Sequence, residues 1–130
     1  MSHIDIAPTV YTSLEDVAAA ALRLGGQFHQ DRKTFITYGG GHGYCDHVVG
    51  FPGAQYEVGV VKQDDGTFRM AFDSWSSGGL LPYMGDQGYR FAQAYAVEAA
   101  KRAAQEIPGA FVSETVRGDG YIEVELLVQS

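Results

Sequence analysis

The chain has 130 residues, 45% of them hydrophobic and 19% charged, with 17 glycines and a formal net charge of −7. That length and balance fit one folded domain with its own core and exclude a disordered chain. The negative charge gives no general attraction to nucleic acid or an anionic membrane, and no apolar run approaches the ~20 residues that span a bilayer.

No basic run is longer than two residues, Arg32-Lys33 and Lys101-Arg102. Cys45 is the single cysteine, so no internal disulfide can form, which suits a reducing compartment. The opening MSHIDIAPTV lacks the basic end and apolar stretch of a secretion signal. The expected location is therefore cytoplasmic, with neither nucleic acid nor membrane as partner.

Along the chain, Ile4 and Ile6 alternate with His3 and Asp5, predicting a first strand that ends near Pro8. Ser13 caps a helix, with Asp16 at the capping-box position and Glu15 adding negative charge to the first turn. Leu14, Val17, Ala21 and Leu24 share one helical face, and Gly25-Gly26 ends the helix. Phe28 and Thr34 to Tyr38 predict short strands around a polar turn, Gln30 to Lys33. The run GGGHGYCDHVVGFPG, Gly39 to Gly53, reads as a loop with a short strand at Cys45 to Val49. Tyr56 to Val61 and Thr67 to Phe72 form a hairpin about the turn Asp64-Asp65-Gly66. A second glycine-rich connection, DSWSSGGLLPYMGDQG, leads into a long helix, Asp86 to Ile107.

Advancing about 100° per residue along that helix collects Tyr89, Ala92, Ala96, Ala99, Ala100, Ala103 and Ile107 on one side. Arg90, Glu98, Lys101, Arg102, Gln105 and Glu106 gather on the other. The alanine side is expected to face the core and let the helix lie flat on a sheet. Pro108-Gly109 stops the helix, and a final hairpin follows: Ala110 to Val116, the turn Gly118-Asp119-Gly120, and Tyr121 to Val128. The order β-α-β-β-β-α-β-β has no sustained strand–helix alternation. It predicts a single α+β domain over residues 1–130: a mainly antiparallel sheet of about five to six strands with two helices on one face. The first and last strands are candidate neighbours.

Met1-Ser2-His3, Asp73-Ser74-Trp75 after a hairpin, Tyr95-Ala96 in an alanine-rich helix, and Asp119-Gly120-Tyr121-Ile122-Glu123-Val124 come in a characteristic order. In that order the chain resembles the hypothetical chloroplast reading frame thirty-five family, a domain of unknown function of plastids, cyanobacteria and other bacteria. The likeness is weakest over Gly39 to Gly53. It implies a small soluble domain and supplies no activity, cofactor or catalytic residue.

Four groups of residues could carry chemistry. His42, Cys45, Asp46 and His47 are ligand types that zinc accepts, and in an extended chain Cys45 and His47 point to one side. Three such ligands with an open position would suit a metal-dependent enzyme; the alternative is a glycine-rich surface loop with incidental histidines. Cys45 with His42 or His47 as base is a nucleophile pair on paper, against an inert half-buried thiol. The backbone of Gly39 to Gly43, Gly40, Gly41 and His42 included, could wrap an anion such as a nucleotide, with Trp75, Tyr83 or Tyr89 stacking on its base. That requires the two glycine-rich segments to meet; otherwise the first is a plain turn and Trp75 is core. Finally, Phe91 and Tyr95 lie on the charged side of the long helix beside Glu98 and Arg102, where they could form a partner surface. No set of catalytic residues stands out and no cofactor is called for. The expected function is that of a small soluble accessory or binding protein acting through a protein partner or as a homo-oligomer. The alternatives are the metal-dependent enzyme and the binding or sequestering of a small anionic ligand.

Overall fold

A computed structural model describes residues 4–118 and 122–129. His3, and Asp119, Gly120 and Tyr121 of the expected last turn and strand start, lie outside the described residues. The elements are β1 (Ile4–Ile6), α1 (Leu14–Arg23), β2 (Gln27–His29), β3 (Thr34–Ile36), β4 (His42–Tyr44), β5 (His47–Gly50), β6 (Val58–Lys62), β7 (Phe68–Asp73), α2 (Leu81–Met84), α3 (Tyr89–Gln105), β8 (Ala110–Val116) and β9 (Ile122–Val128). Five strands make one antiparallel sheet in the order β1-β7-β6-β5-β2, while β3-β4 and β8-β9 are separate two-stranded ladders. The α+β architecture is as expected. The first and last strands are not neighbours: β1 pairs with β7, and β9 with β8.

α1 starts where Ser13 Oγ accepts the Asp16 N–H at 3.2 Å. It ends as Gly25 takes φ +85°, which lets the Gly26 N–H donate to Ala21 O at 2.8 Å. Val17, Ala20 and Ala21 are fully buried. They meet Val49, Val58, Val60, Met70 and Phe72 of the sheet and Phe91 and Ala94 of α3 in the main core. Both longer helices therefore cover the same sheet face.

The face of α3 that enters this core differs from the one expected. Phe91, Ala94, Val97 and Ala104 are buried, whereas Ala96, Ala103, Tyr89 and Ile107 are exposed and Ala92, Ala99 and Ala100 are half-buried. Withdrawing one phenyl ring and one valine removes more apolar area from water than a row of methyl groups does. Alanine needs no burial to favour a helix. α3 also begins later than Asp86: Gln87 at φ +54° and Gly88 at φ +76° leave the helical path, so Asp86–Gly88 is a separate 3-10 turn.

The other sheet face is covered by the β3-β4 ladder. Phe35 of β3, 1% exposed, packs there with Val48, Ala71 and the half-buried Cys45. Its ring lies over two glycines. A methyl on Gly43, its cross-strand partner, would fall 2.3 Å from the ring, and one on Gly59 of β6 would fall 2.4 Å from it. Gly39 to Gly53 is accordingly not a loop with one strand but two strands, β4 and β5. Glycine weakens a strand alone, yet Gly43 is where the strand must let an aromatic ring approach the backbone.

Candidate functional site

The four residues expected to hold a metal are used separately. His42 is exposed on β4 opposite Ile36. Cys45 Sγ donates to Arg32 O at 3.3 Å, and burial, with the neighbouring Asp46 charge, raises its thiol pKa to about 11. Asp46 Oδ2 accepts the Lys62 N–H at 2.7 Å. His47 is buried, its ring beside Phe28 and Phe68, and its Nδ1 accepts the Asp31 N–H at 2.9 Å. The chain breaks its extension between β4 and β5, so Cys45 joins the Phe35 cluster while His47 faces the helix side. Among the described residues no group of three His, Cys, Asp or Glu side chains is placed to hold a metal ion. The thiol, held protonated and without a histidine bonded to it, is not an activated nucleophile.

The two glycine-rich segments do not form a shared pocket. Gly39 and Gly40 have φ of +69° and +78°, and the tip bonds to itself: Gly41 N–H to Tyr38 O, and Thr37 N–H to Gly41 O. Gly40, Gly41 and His42 therefore sit at the end of the β3-β4 ladder. The second connection meets the other end of the first segment, at Phe51 and Gly53, away from this tip. Gly78 O accepts the N–H groups of Gln55 and Tyr56, and Tyr83 stacks on Phe51 with ring centres 4.5 Å apart. Trp75 is 46% exposed rather than core, and Tyr89 is exposed. No described cavity is lined by both segments.

The expected partner surface on α3 is an internal seam. Phe91 is fully buried. Tyr95 packs edge-on against Tyr11, and its hydroxyl oxygen accepts the N–H groups of Thr12 and Ser13, each at 3.1 Å. Arg102 donates from Nε and Nη2 to the two carboxylate oxygens of the buried Asp16, both at 2.8 Å. Glu98 is half-buried and lies 3.8 Å from Lys101 Nζ. Three of the four residues thus tie α3 to α1 and the segment before it, and none of the three offers a free apolar surface.

Two features of the surface went unread in the sequence. The first is the β8-β9 hairpin. Its register pairs Ala110 with Val128, Val112 with Leu126, Glu114 with Val124, and Val116 with Ile122. Opposed residues share a face, so this face carries seven apolar side chains and one carboxylate. Glu114 bonds to Arg23 of α1 and lies 2.7 Å from Lys101 Nζ of α3, which orients the face toward the helices. Those two cations, Arg23 first, hold its carboxyl below the usual carboxylate range. The helices cover the face incompletely: Val116, Val124, Leu126 and Val128 remain 72%, 38%, 51% and 59% exposed. Period-two alternation in both strands was the signal for this row.

The second is a cleft of about 430 Å³ at the β2 edge, lined by Leu22, Gly26, His29, Gly50, Phe51 and Glu57 among others. His29 Nε2 and Glu57 Oε2 lie 3.6 and 3.9 Å from the point a methyl on Gly50 would occupy, with no hydrogen bond joining them. Arg32 and the Ile36 N–H fix the carboxylate of Glu57. No spacing rule links residues 29, 50 and 57.

Fold and surface together define an α+β domain with an antiparallel sheet and an incompletely covered C-terminal hairpin. Among the described residues no helix is long and apolar enough to cross a membrane. The chain matches no model of a known family, no curated protein and no solved structure.

Proposed function

We propose that the chain is a non-catalytic accessory domain that acts by binding protein, with the apolar face of the β8-β9 hairpin as its contact surface. The observation that carries this reading is the open row Val116, Val124, Leu126 and Val128. Scattered surface hydrophobes are ordinary, but a row along one face of a hairpin marks a contact. The one charge on that face, Glu114, already has Arg23 and Lys101, so an apolar partner would strand no ion. The resemblance to a family without assigned activity is compatible with this reading. A photo-crosslinking residue at position 126 tests it in the host. Adducts with a polypeptide are expected there and not from position 63 in the β6-β7 turn. Free chain from positions 116, 126 and 128 alike would end the proposal.

A second reading, binding of a small polar molecule, is favoured by the unbonded His29 facing Glu57 across Gly50. A ligand there would shift the His29 ring resonances, and Gly50→Ala, which fills the gap, would abolish that shift. Unmoved His29 resonances across a panel of small polar molecules would remove this reading.

A further inference from the structure

We infer that the occupant of the hairpin face is a second copy of this chain, packed hairpin against hairpin across a two-fold axis. The inference rests on the reading of that face as a contact surface. α3 lies mainly along β8, and the β9 half of the face, Val124, Leu126 and Val128, extends past it. Past α3 the ladder has no apolar layer over it, and stacking two ladders supplies one there.

The area fits a dimer. With Ile107 at the hairpin base, 39% exposed, the open side chains present roughly 400 Å² of apolar surface, within the range of the largest patch on a monomer. The polar rim that any interface adds brings this to roughly 650 Å² per partner, the lower end of the standard size, of which about three-fifths is apolar.

The charges fit as well. Ser113, Thr115, Glu123 and Glu125 alternate onto the outer face of the hairpin, so joining two chains of net charge −7 brings none of these carboxylates together. The contact face is left neutral, Glu114 being held by Arg23 and Lys101. A charged partner finds nothing there to read. An equal apolar face does, and two-fold symmetry supplies one.

Light scattering on the eluting protein, from about 1 μM to about 200 μM, tests the inference. The mass is expected to rise from 14.1 kDa toward twice that value with little dependence on salt. Leu126→Glu is expected to weaken association at least about tenfold with an unchanged circular dichroism spectrum. If that variant does not fold, Leu126→Cys in a Cys45→Ser background serves instead. Diamide, itself reduced to the hydrazine, should oxidise its two thiols to a disulfide between copies, and should not do so for Gln63→Cys. A wild-type mass of 14.1 kDa at every concentration overturns the inference, as does a dimer indifferent to Leu126→Glu that gives no disulfide at position 126. A monomer whose position 126 crosslinks to a different polypeptide sinks the second copy and leaves the binding reading standing. A monomer with no polypeptide adduct sinks both.

Discussion

Replacing Phe35 by alanine removes the ring that fastens the β3-β4 ladder to the sheet. Truncating a fully buried phenylalanine costs about 3–5 kcal/mol, a large share of the roughly 5–15 kcal/mol that holds a domain together. The converse change, Gly59→Ala, drives a methyl to 2.4 Å from the ring and 3.1 Å from Cys45 Cβ. The ring has little room to retreat, since Gly43 lies against it as well, so overpacking should cost about 1–3 kcal/mol. The two changes are physically linked. Once the ring is gone, the methyl of Gly59→Ala enters vacated space, and its cost should fall to near zero or reverse. A coupling of about 1–3 kcal/mol is therefore expected from the double-mutant cycle. Urea unfolding followed by far-ultraviolet circular dichroism measures all four corners, with constant slopes checking that each unfolds in one step. If Gly59→Ala costs the same in both backgrounds within about 0.5 kcal/mol, Phe35 does not lie on Gly59 and the account of the second sheet face fails.

Tyr95→Phe removes the acceptor of the Thr12 and Ser13 N–H groups, and a loss of about 1–2 kcal/mol is expected in the same unfolding assay. Ala96→Leu on the exposed side of α3 should change stability by less than about 0.5 kcal/mol, whereas Ala94→Leu in the core should cost about 1–3 kcal/mol; equal costs would restore the alanine stripe to the core. The Cys45 thiol is raised from its ordinary 9.0 to about 11, so the folded chain holds this proton more tightly than the unfolded one. Its contribution to stability is intact below pH about 9 and disappears as pH rises through about 11, and the wild type should lose stability relative to Cys45→Ala across that window. The half-exposed thiol keeps the effect modest, and iodoacetamide should modify it slowly at neutral pH.

The metal cluster expected from the sequence failed because it joined residues close in the chain whose side chains the fold sends apart. His42, Cys45, Asp46 and His47 look like a cluster, but two strands and the break between them point the side chains to different surroundings. Phe91 and Tyr95 looked outward because a helical wheel weighs every alanine as apolar, without asking which face has the volume to fill a core. Conversely, His29 and Glu57 line one cleft only because β2 and β5 pair and the segment entering β6 passes beside them.

What local chemistry governs was fixed before folding: the Ser13 cap, the Gly25-Gly26 stop, the turn at Gly66 and the alternation of β8 and β9 all act within a few residues. These set the elements and, with them, an α+β domain. Which face of α3 turns inward, which glycines lie under Phe35 and how much of the last hairpin stays uncovered were decided by the tertiary structure. Each depends on matching volumes between segments far apart in the chain, and side-chain periodicity carries no information about what lies opposite.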